Sequence, residues 1–455
     1  MMFSNASDGR LAARAGAAGI VLGALAVGAV ALVRLHRHPG GDGRPELTEL
    51  APDPGALRYR HAVLPSADAT AGTADAIAAL ETRVQDLASP FDYAELAELY
   101  LRRAQSDGDP GDYRTAEARA RRSLELLATP NPAVLTLAKL ADARHDFRAA
   151  IDLARQHKAR SASAQIIIAT AHLALGELAD AAGAADTALA IRPDAAAYLM
   201  RALVLQAQGR DAEAALDFAR AARVEEPGDL PAAARLRALW GRFLLRRGEL
   251  AGAARALDEA LRVVPGFALA TAYRGELALR TGHPDDAAHL FEQAFIASRQ
   301  VRYLIDQARA RALAGDAAAA DALRGQVETV VRGELGEGGL GHRLDLVEVL
   351  VDRGRPSELP EAIALARQEV ARRGSFEARF QLARALARAG ARDEASREVQ
   401  AALATGAREA QLYELAALLA TQRGDTAAAA LYARLADRLD PGDSGWRKLG
   451  LGQPR

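Results

Sequence analysis

The sequence predicts an all-α protein, an α-solenoid of stacked helical hairpins with an N-terminal transmembrane helix. Three observations carry this prediction. About a quarter of the residues are alanine, which favours helices because it loses no side-chain entropy there. Glycine, alanine and proline recur in a fixed order through most of the chain. An uncharged apolar segment lies near the N-terminus.

Composition and charge exclude several classes of function. The net charge of −1 does not suggest a nucleic-acid partner, because nucleic-acid binding usually needs a clustered basic surface. The chain has no cysteine, so it has no disulfide, no thiolate nucleophile and no cysteine-held metal. A cysteine-free chain is tolerated on either side of a membrane, so the lack of cysteine does not indicate the cellular compartment.

The segment Ala15–Val33, which follows a short tail of residues 1–14, is the predicted transmembrane helix or signal anchor. Its helical length of ~28 Å is close to the ~30 Å hydrocarbon core of a bilayer. A cleaved signal peptide is the alternative, because Ala29-Val30-Ala31 has the small-x-small form of a cleavage site. Arginines flank the segment on both sides and give little information on orientation. We expect a single-pass protein of the cell (inner) membrane with its large domain outside the cytoplasm.

Residues 39–72 contain many prolines, glycines and small polar residues without sustained periodicity, which predicts a flexible linker. Helical spacing of apolar residues resumes near Ala74. The solenoid is predicted over residues 74–443, and residues 444–455 form a C-terminal tail.

An internal repeat organises the solenoid region. Glycines recur at intervals of 33 to 39 residues, at 176, 209, 248, 282, 315, 354, 390 and 424. Alanine follows most of them five residues later, and a second alanine often follows seven residues after that. Proline closes four of the units, at positions 193, 227, 265 and 441.

This pattern predicts helical hairpins. Glycine suits the left-handed residue just past a helix end, so it ends the first helix of each hairpin. Alanines seven residues apart share one face of the second helix and allow its partner to approach closely. Proline then ends the second helix. One hairpin cannot bury both of its faces, so successive hairpins must stack.

The unit from Ala234 to Pro265 resembles the tetratricopeptide repeat (TPR) family most clearly, with Trp240-Gly241, Gly248, Ala253 and Ala260 in the family's pattern. The resemblance covers some four fifths of the chain and implies a right-handed superhelix of about ten units. The units are predicted near 93–130, 131–161, 162–194, 195–233, 234–267, 268–300, 301–334, 340–375, 376–409 and 410–443. Two carry insertions: Ser106 to Pro110 is expected to lengthen one turn, and Pro356 and Pro360 disturb another.

No catalytic, cofactor-binding or metal-binding motif stands out. Residues 336–341 match G-x-G-x-x-G, but no strand precedes them and nearby glutamates would repel a phosphate, which favours a linker or hinge. The sequence contains no P-loop and no H-E-x-x-H motif. We therefore expect no enzyme activity, no cofactor and no metal.

The resemblance implies that partner peptides lie in a concave groove formed by the first helices. The positions that face this groove in the family are occupied here by seven arginines and three acidic residues: Arg242, Arg246, Arg280, Arg302, Arg309, Asp345, Glu348, Asp352, Arg384 and Arg388. One interpretation is a groove that binds acidic peptide segments, because arginine pairs bidentately with carboxylates. The other is a solvated face on which these charges pair with each other.

The resemblance thus favours a membrane-anchored scaffold or adaptor for protein partners. The alternative is an assembly chaperone or accessory factor for a membrane enzyme, secretion complex or envelope-biogenesis complex. The sequence does not identify the partner or the oligomeric state.

Overall fold

The computed structural model describes residues 54–63, 69–128, 130–157, 161–336 and 342–441. Within these ranges all regular secondary structure is helical. The predicted transmembrane segment at 15–33, both terminal tails and most of the glycine-rich stretch at 336–341 lie outside them. None of the described helices is both long and apolar enough to cross a bilayer.

The described residues form 22 helices. Two helices precede the repeats: α1 (Pro54–Leu57) and α2 (Ala69–Asp86). The first five hairpins are α3 (Pro90–Asp107) with α4 (Pro110–Leu126), α5 (Ala133–Ala143) with α6 (Phe147–Arg155), α7 (Ala162–Leu175) with α8 (Leu178–Ile191), α9 (Ala195–Ala207) with α10 (Asp211–Val224), and α11 (Leu230–Arg246) with α12 (Leu250–Val263). The next five are α13 (Ala268–Arg280) with α14 (Pro284–Ser298), α15 (Val301–Leu313) with α16 (Ala317–Gly336), α17 (Arg343–Arg353) with α18 (Leu359–Arg373), α19 (Phe376–Arg388) with α20 (Arg392–Ala404), and α21 (Ala410–Gln422) with α22 (Thr426–Leu439).

The repeat glycines lie at the turns inside the hairpins. All eight have positive φ, between 66° and 89°, a conformation in which a Cβ atom is strained. The alanine five residues after the glycine is fully buried in six hairpins, as at Ala181 and Ala253, whereas Ala429 of the last hairpin is only partly buried. The predicted hairpin pattern is therefore confirmed in its turns and in its helix contacts.

Helix–helix approach is closest where the family pattern places small residues. A Cβ atom added to Gly241 in α11 would lie 2.8 Å from Leu257 Cδ2 in α12. The backbone of α11 therefore packs directly against this leucine side chain of α12. Trp240 stacks on Phe218 of the preceding hairpin, with ring centroids 5.8 Å apart, and joins the two units. Apolar clusters of this kind extend from each hairpin into its neighbours.

First helices of neighbouring hairpins pack against each other more closely than second helices do. The array therefore curves toward the first helices, and the curvature brings distant hairpins into contact. Arg372 donates to the backbone oxygen of His145 over 3.3 Å, and Arg247 donates to that of Leu439 over 2.8 Å. The turns of early hairpins thus rest on the ends of hairpins that come more than 190 residues later.

Three sequence predictions need correction. Ser106 to Pro110 does not lengthen the turn of the first hairpin; α3 and α4 are themselves long, with 18 and 17 residues, and Asp109 caps α4 directly. Residues 54–63, predicted to belong to the flexible linker, pack on the array with Leu57 and Tyr59 only 3% exposed, because these side chains fill apolar sites on hairpins 4 and 5. Helix α2 also begins earlier than expected, at Ala69.

Candidate partner-binding groove

The inner face of hairpins 5 to 10 encloses a cavity of about 420 Å³. Its walls come mainly from the first helices α11, α13, α15, α17, α19 and α21. These helices line it because the array curves toward them. Five of the predicted groove residues line this cavity: Arg242, Arg246, Arg302, Arg309 and Glu348.

Charged side chains link α15, α17 and α19 along this inner face. Glu348 accepts from Arg302 over 2.7 Å and also pairs with Arg309. Asp352 lies between Arg309, at 2.9 Å, and Arg384, at 2.5 Å. Asp352 and Arg384 are each 2% exposed in their side chains. We call Arg302, Arg309, Glu348, Asp352 and Arg384 the ion ladder.

The ladder determines the protonation state of its central acid. Burial by itself would raise the pKa of Glu348, but the nearby guanidinium groups of Arg302, Arg309 and Arg384 outweigh burial and hold it well below its usual range. Glu348 is therefore a carboxylate, and each of its arginine neighbours already has an internal anion. These arginines can bind a partner's carboxylate only if they share it with their internal carboxylate or exchange that carboxylate for it.

Two further predicted arginines connect distant hairpins. Arg280 binds Asp440 at the end of α22 over 2.5 Å and Glu276 over 3.1 Å, and its side chain is 8% exposed. Arg246 donates to Glu409, 3.0 Å away, at the start of α21. Both residues therefore hold the last hairpin against hairpins 5 and 6, although Arg246 also lines the cavity.

Arg242 differs from these arginines. Its guanidinium lies 5.6 Å from the centroid of the Tyr273 ring, and it forms no ion pair with any described residue. It is partly exposed in the cavity wall. Arg388 lies outside this cavity, where its guanidinium packs against the turn at Gly354.

Two acidic side chains on this face also make no ion pair or side-chain hydrogen bond among the described residues. Burial raises the pKa of Asp345 to about 6. Glu377 lines the cavity, and its side chain is exposed there. The protein that surrounds it nevertheless raises its pKa. The face therefore presents unpaired groups of both signs.

Sequence reasoning missed several cavity residues. Tyr273, Tyr303, Phe376 and Phe380 give the cavity an aromatic wall, and Glu377 and Glu409 add charge. Phe376 and Glu377 open α19, where the repeat pattern specifies no residue type. A search for aromatic residues at groove positions, in addition to charged ones, would have selected Tyr273 and Phe380.

One cluster in the described part of the chain has donor atoms spaced closely enough for a metal ion: His172, Glu177 and Asp180. His172 Nδ1 already hydrogen-bonds to Glu177 Oε2 over 2.6 Å, and Arg148 pairs with the same carboxylate group. The three side chains are therefore explained by polar contacts at the turn between α7 and α8, without a metal ion.

Comparisons with known proteins agree with the repeat pattern. The tetratricopeptide repeat model matches residues 132–196, 168–230 and 238–300. No curated protein matches the sequence significantly. Among solved structures, human IFIT1 aligns at 16% identity over 85% of this chain and 98% of its own, with a TM-score of 0.44. Yeast Tom70 aligns at 13% identity over 84% and 91%, with a TM-score of 0.40. A tetratricopeptide repeat protein from Parabacteroides merdae aligns at 18% identity over 52% and 92%, with a TM-score of 0.36.

The family matches fall on hairpins 2 to 6. Hairpins 7 to 10 keep the turn glycine with positive φ, at Gly315, Gly354, Gly390 and Gly424. The chain thus contains tetratricopeptide repeats, and the matches support its place in the tetratricopeptide repeat family.

Proposed function

We propose that this protein is a membrane-anchored, non-catalytic scaffold that binds a segment of a partner protein in the cavity of hairpins 5 to 10. The cavity offers aromatic and charged side chains together, a combination that suits a peptide more than a small apolar ligand. Repeat arrays of this family typically bind proteins and are typically not enzymes, which supports the proposal.

Arg242 is the observation that favours an acidic partner segment. Its guanidinium is oriented by the Tyr273 ring and makes no internal ion pair with a described residue. A carboxylate from a partner would therefore add a new charge-assisted bond there, without displacing an existing one. At the ion ladder the same carboxylate would compete with Glu348 and Asp352.

Capture of partners in mild detergent tests this proposal. We expect Arg242→Glu to lower recovery of the partner at least ~10-fold, because it replaces an attractive charge with a repulsive one. The matched control is Arg255→Glu, an exposed arginine on the outer helix α12. Equal recovery with both variants would contradict binding at Arg242.

An assembly chaperone for a membrane, secretion or envelope complex is the second candidate. The same capture experiment separates it from an adaptor. One stable partner in constant proportion supports the adaptor, whereas many partly unfolded clients support the chaperone. The mixture of aromatic groups and charged groups of both signs in the cavity is compatible with either function.

We further propose that Ala15–Val33 anchors the protein in the bacterial inner membrane as a single span. The proposal depends on the length and apolar character of this segment in the sequence. Deletion of residues 15–33 should release the chain from membranes washed with carbonate. A reporter fused after Arg455 should be active outside the cytoplasm; activity inside would reverse the proposed orientation.

A further inference from the structure

A segment that precedes the repeats lies in a built site on the middle of the array. Residues 54–63, which we call the strap, contact hairpins 4 and 5 through hydrogen bonds that join residues 164 to 200 positions apart. Leu57 belongs to the apolar cluster of Phe218, Leu236 and Trp240. Tyr59 belongs to the next cluster, with Ala234 and Leu257.

The backbone and ring of the strap are recognised by specific polar groups. Tyr59 N donates to Glu259 Oε1 over 2.8 Å, and the Tyr59 hydroxyl accepts from Gly228 N over 3.2 Å. His61 Nε2 lies 3.2 Å from the backbone oxygen of Glu225. These contacts, together with the hydrogen bond that the backbone oxygen of Leu57 accepts, fix the direction and the register of the strap, because they involve three residues in alternate positions.

Arg237 of α11 is the centre of the site. It is completely buried, and its Nε donates to the backbone oxygen of Leu57 over 2.6 Å. Its two terminal nitrogens bind Glu225 over 2.7 and 2.8 Å, and its guanidinium lies 5.4 Å from the centroid of the Tyr59 ring. A buried arginine needs every donor satisfied, and the strap supplies one of its acceptors.

The strap alternates in its exposure, as a docked peptide does. Leu57 and Tyr59 are buried, whereas Arg58, between them, and Arg60, after Tyr59, are exposed. Its buried side chains contact hairpins that the chain reaches only after more than a hundred further residues. The contact is thus an association of a peptide with a surface that the repeats build without it.

We propose that Arg237, Glu225 and Glu259 form a docking site for a peptide of the pattern apolar-x-Tyr-x-His, and that the chain's own strap is its occupant. The contacts of the strap keep residues 54–63 on the surface of hairpins 4 and 5. The site can be emptied without unfolding the hairpins and refilled by the same peptide added in trans.

Substitutions in the strap test this proposal in the full-length chain. We expect Leu57→Ala with Tyr59→Ala to lower the hydrogen-exchange protection of the Gly228 amide at least ~10-fold, because that amide loses its acceptor. The amides of α19 to α22 should keep their protection. The matched control, Arg58→Ala with Arg60→Ala, changes only the exposed side chains of the same segment and should leave Gly228 protected.

A peptide of residues 54–63 provides the second measurement. It should bind the Leu57→Ala, Tyr59→Ala variant and restore protection at Gly228, while binding the unsubstituted chain at least ~10-fold more weakly, because the strap competes at high effective concentration. A peptide that carries Tyr59→Ala should not bind. Equal binding to both chains, no binding to the variant, or loss of protection throughout the array would each overturn the proposal.

Discussion

Asp352→Asn offers a direct test of the ion ladder. Asp352 lies 2.9 Å from Arg309 and 2.5 Å from Arg384, and the three side chains are between 2% and 4% exposed. Asparagine keeps the size of the side chain but removes the charge shared by the two arginines. Removing one partner of a buried ion pair typically costs ~3–5 kcal/mol, because the remaining charge stays buried.

The expected effect is local. Each hairpin contacts mainly its neighbours, so the loss should fall on α15, α17 and α19 rather than on the whole array. A loss of ~3 kcal/mol in the free energy of local opening corresponds to a roughly 100-fold decrease in hydrogen-exchange protection. Exchange of these helices, measured by mass spectrometry at constant pH, gives this quantity directly.

A surface pair serves as the matched control. Asp258 binds Arg274 over 3.1 Å, but their side chains are 61% and 34% exposed. Asp258→Asn should change protection by less than ~5-fold, since exposed pairs contribute ~0–1 kcal/mol. If Asp352→Asn changes protection no more than this control does, the ladder does not stabilise the inner face and the reasoning is wrong.

Two further predictions follow from the turns and from the unpaired acid. Gly248→Ala should destabilise the contact with α22 more than Gly282→Ala does. Both glycines have positive φ, but a Cβ atom at Gly248 would lie 3.1 Å from Pro441, whereas one at Gly282 would meet nothing within 4 Å. Hydrogen exchange at the end of α22 should therefore increase only in the Gly248→Ala variant. Burial raises the pKa of Asp345 to about 6, so the folded chain holds this proton more tightly than the unfolded chain, and the free energy of unfolding should fall as the pH rises from about 4 to about 6. Asp345→Asn should remove this part of the pH dependence in urea titrations; an unchanged profile would contradict the assignment.

The repeat could be predicted from sequence because its signals are local. Gly248 ends one helix, Ala253 and Ala260 mark the face of the next, and Pro265 ends it, all within 18 residues. Each signal acts through backbone conformation or through helix contact within one hairpin. For this reason the turns of the hairpins lie at the repeat glycines.

The contacts between distant hairpins could not be predicted in this way. Arg280 meets Asp440 and Arg246 meets Glu409 because the array curves, and the amount of curvature depends on the summed packing of several units. The strap was also missed, since Leu57 and Tyr59 lie among prolines and glycines that suggest a linker. Two apolar residues at alternate positions were the available signal.

The predicted groove residues illustrate the same limit for function. Their positions on the first helices could be inferred, but whether each charge is available depends on partners 32 to 46 residues away. An arginine that already binds an internal carboxylate gains little from a second one, because the new bond replaces or shares the old. Arg242 stacks on Tyr273 without such a bond to a described residue, so in the proposed function a partner's carboxylate would add binding energy there. The selectivity of the groove should therefore depend on Arg242 far more than on the larger number of arginines in the ladder.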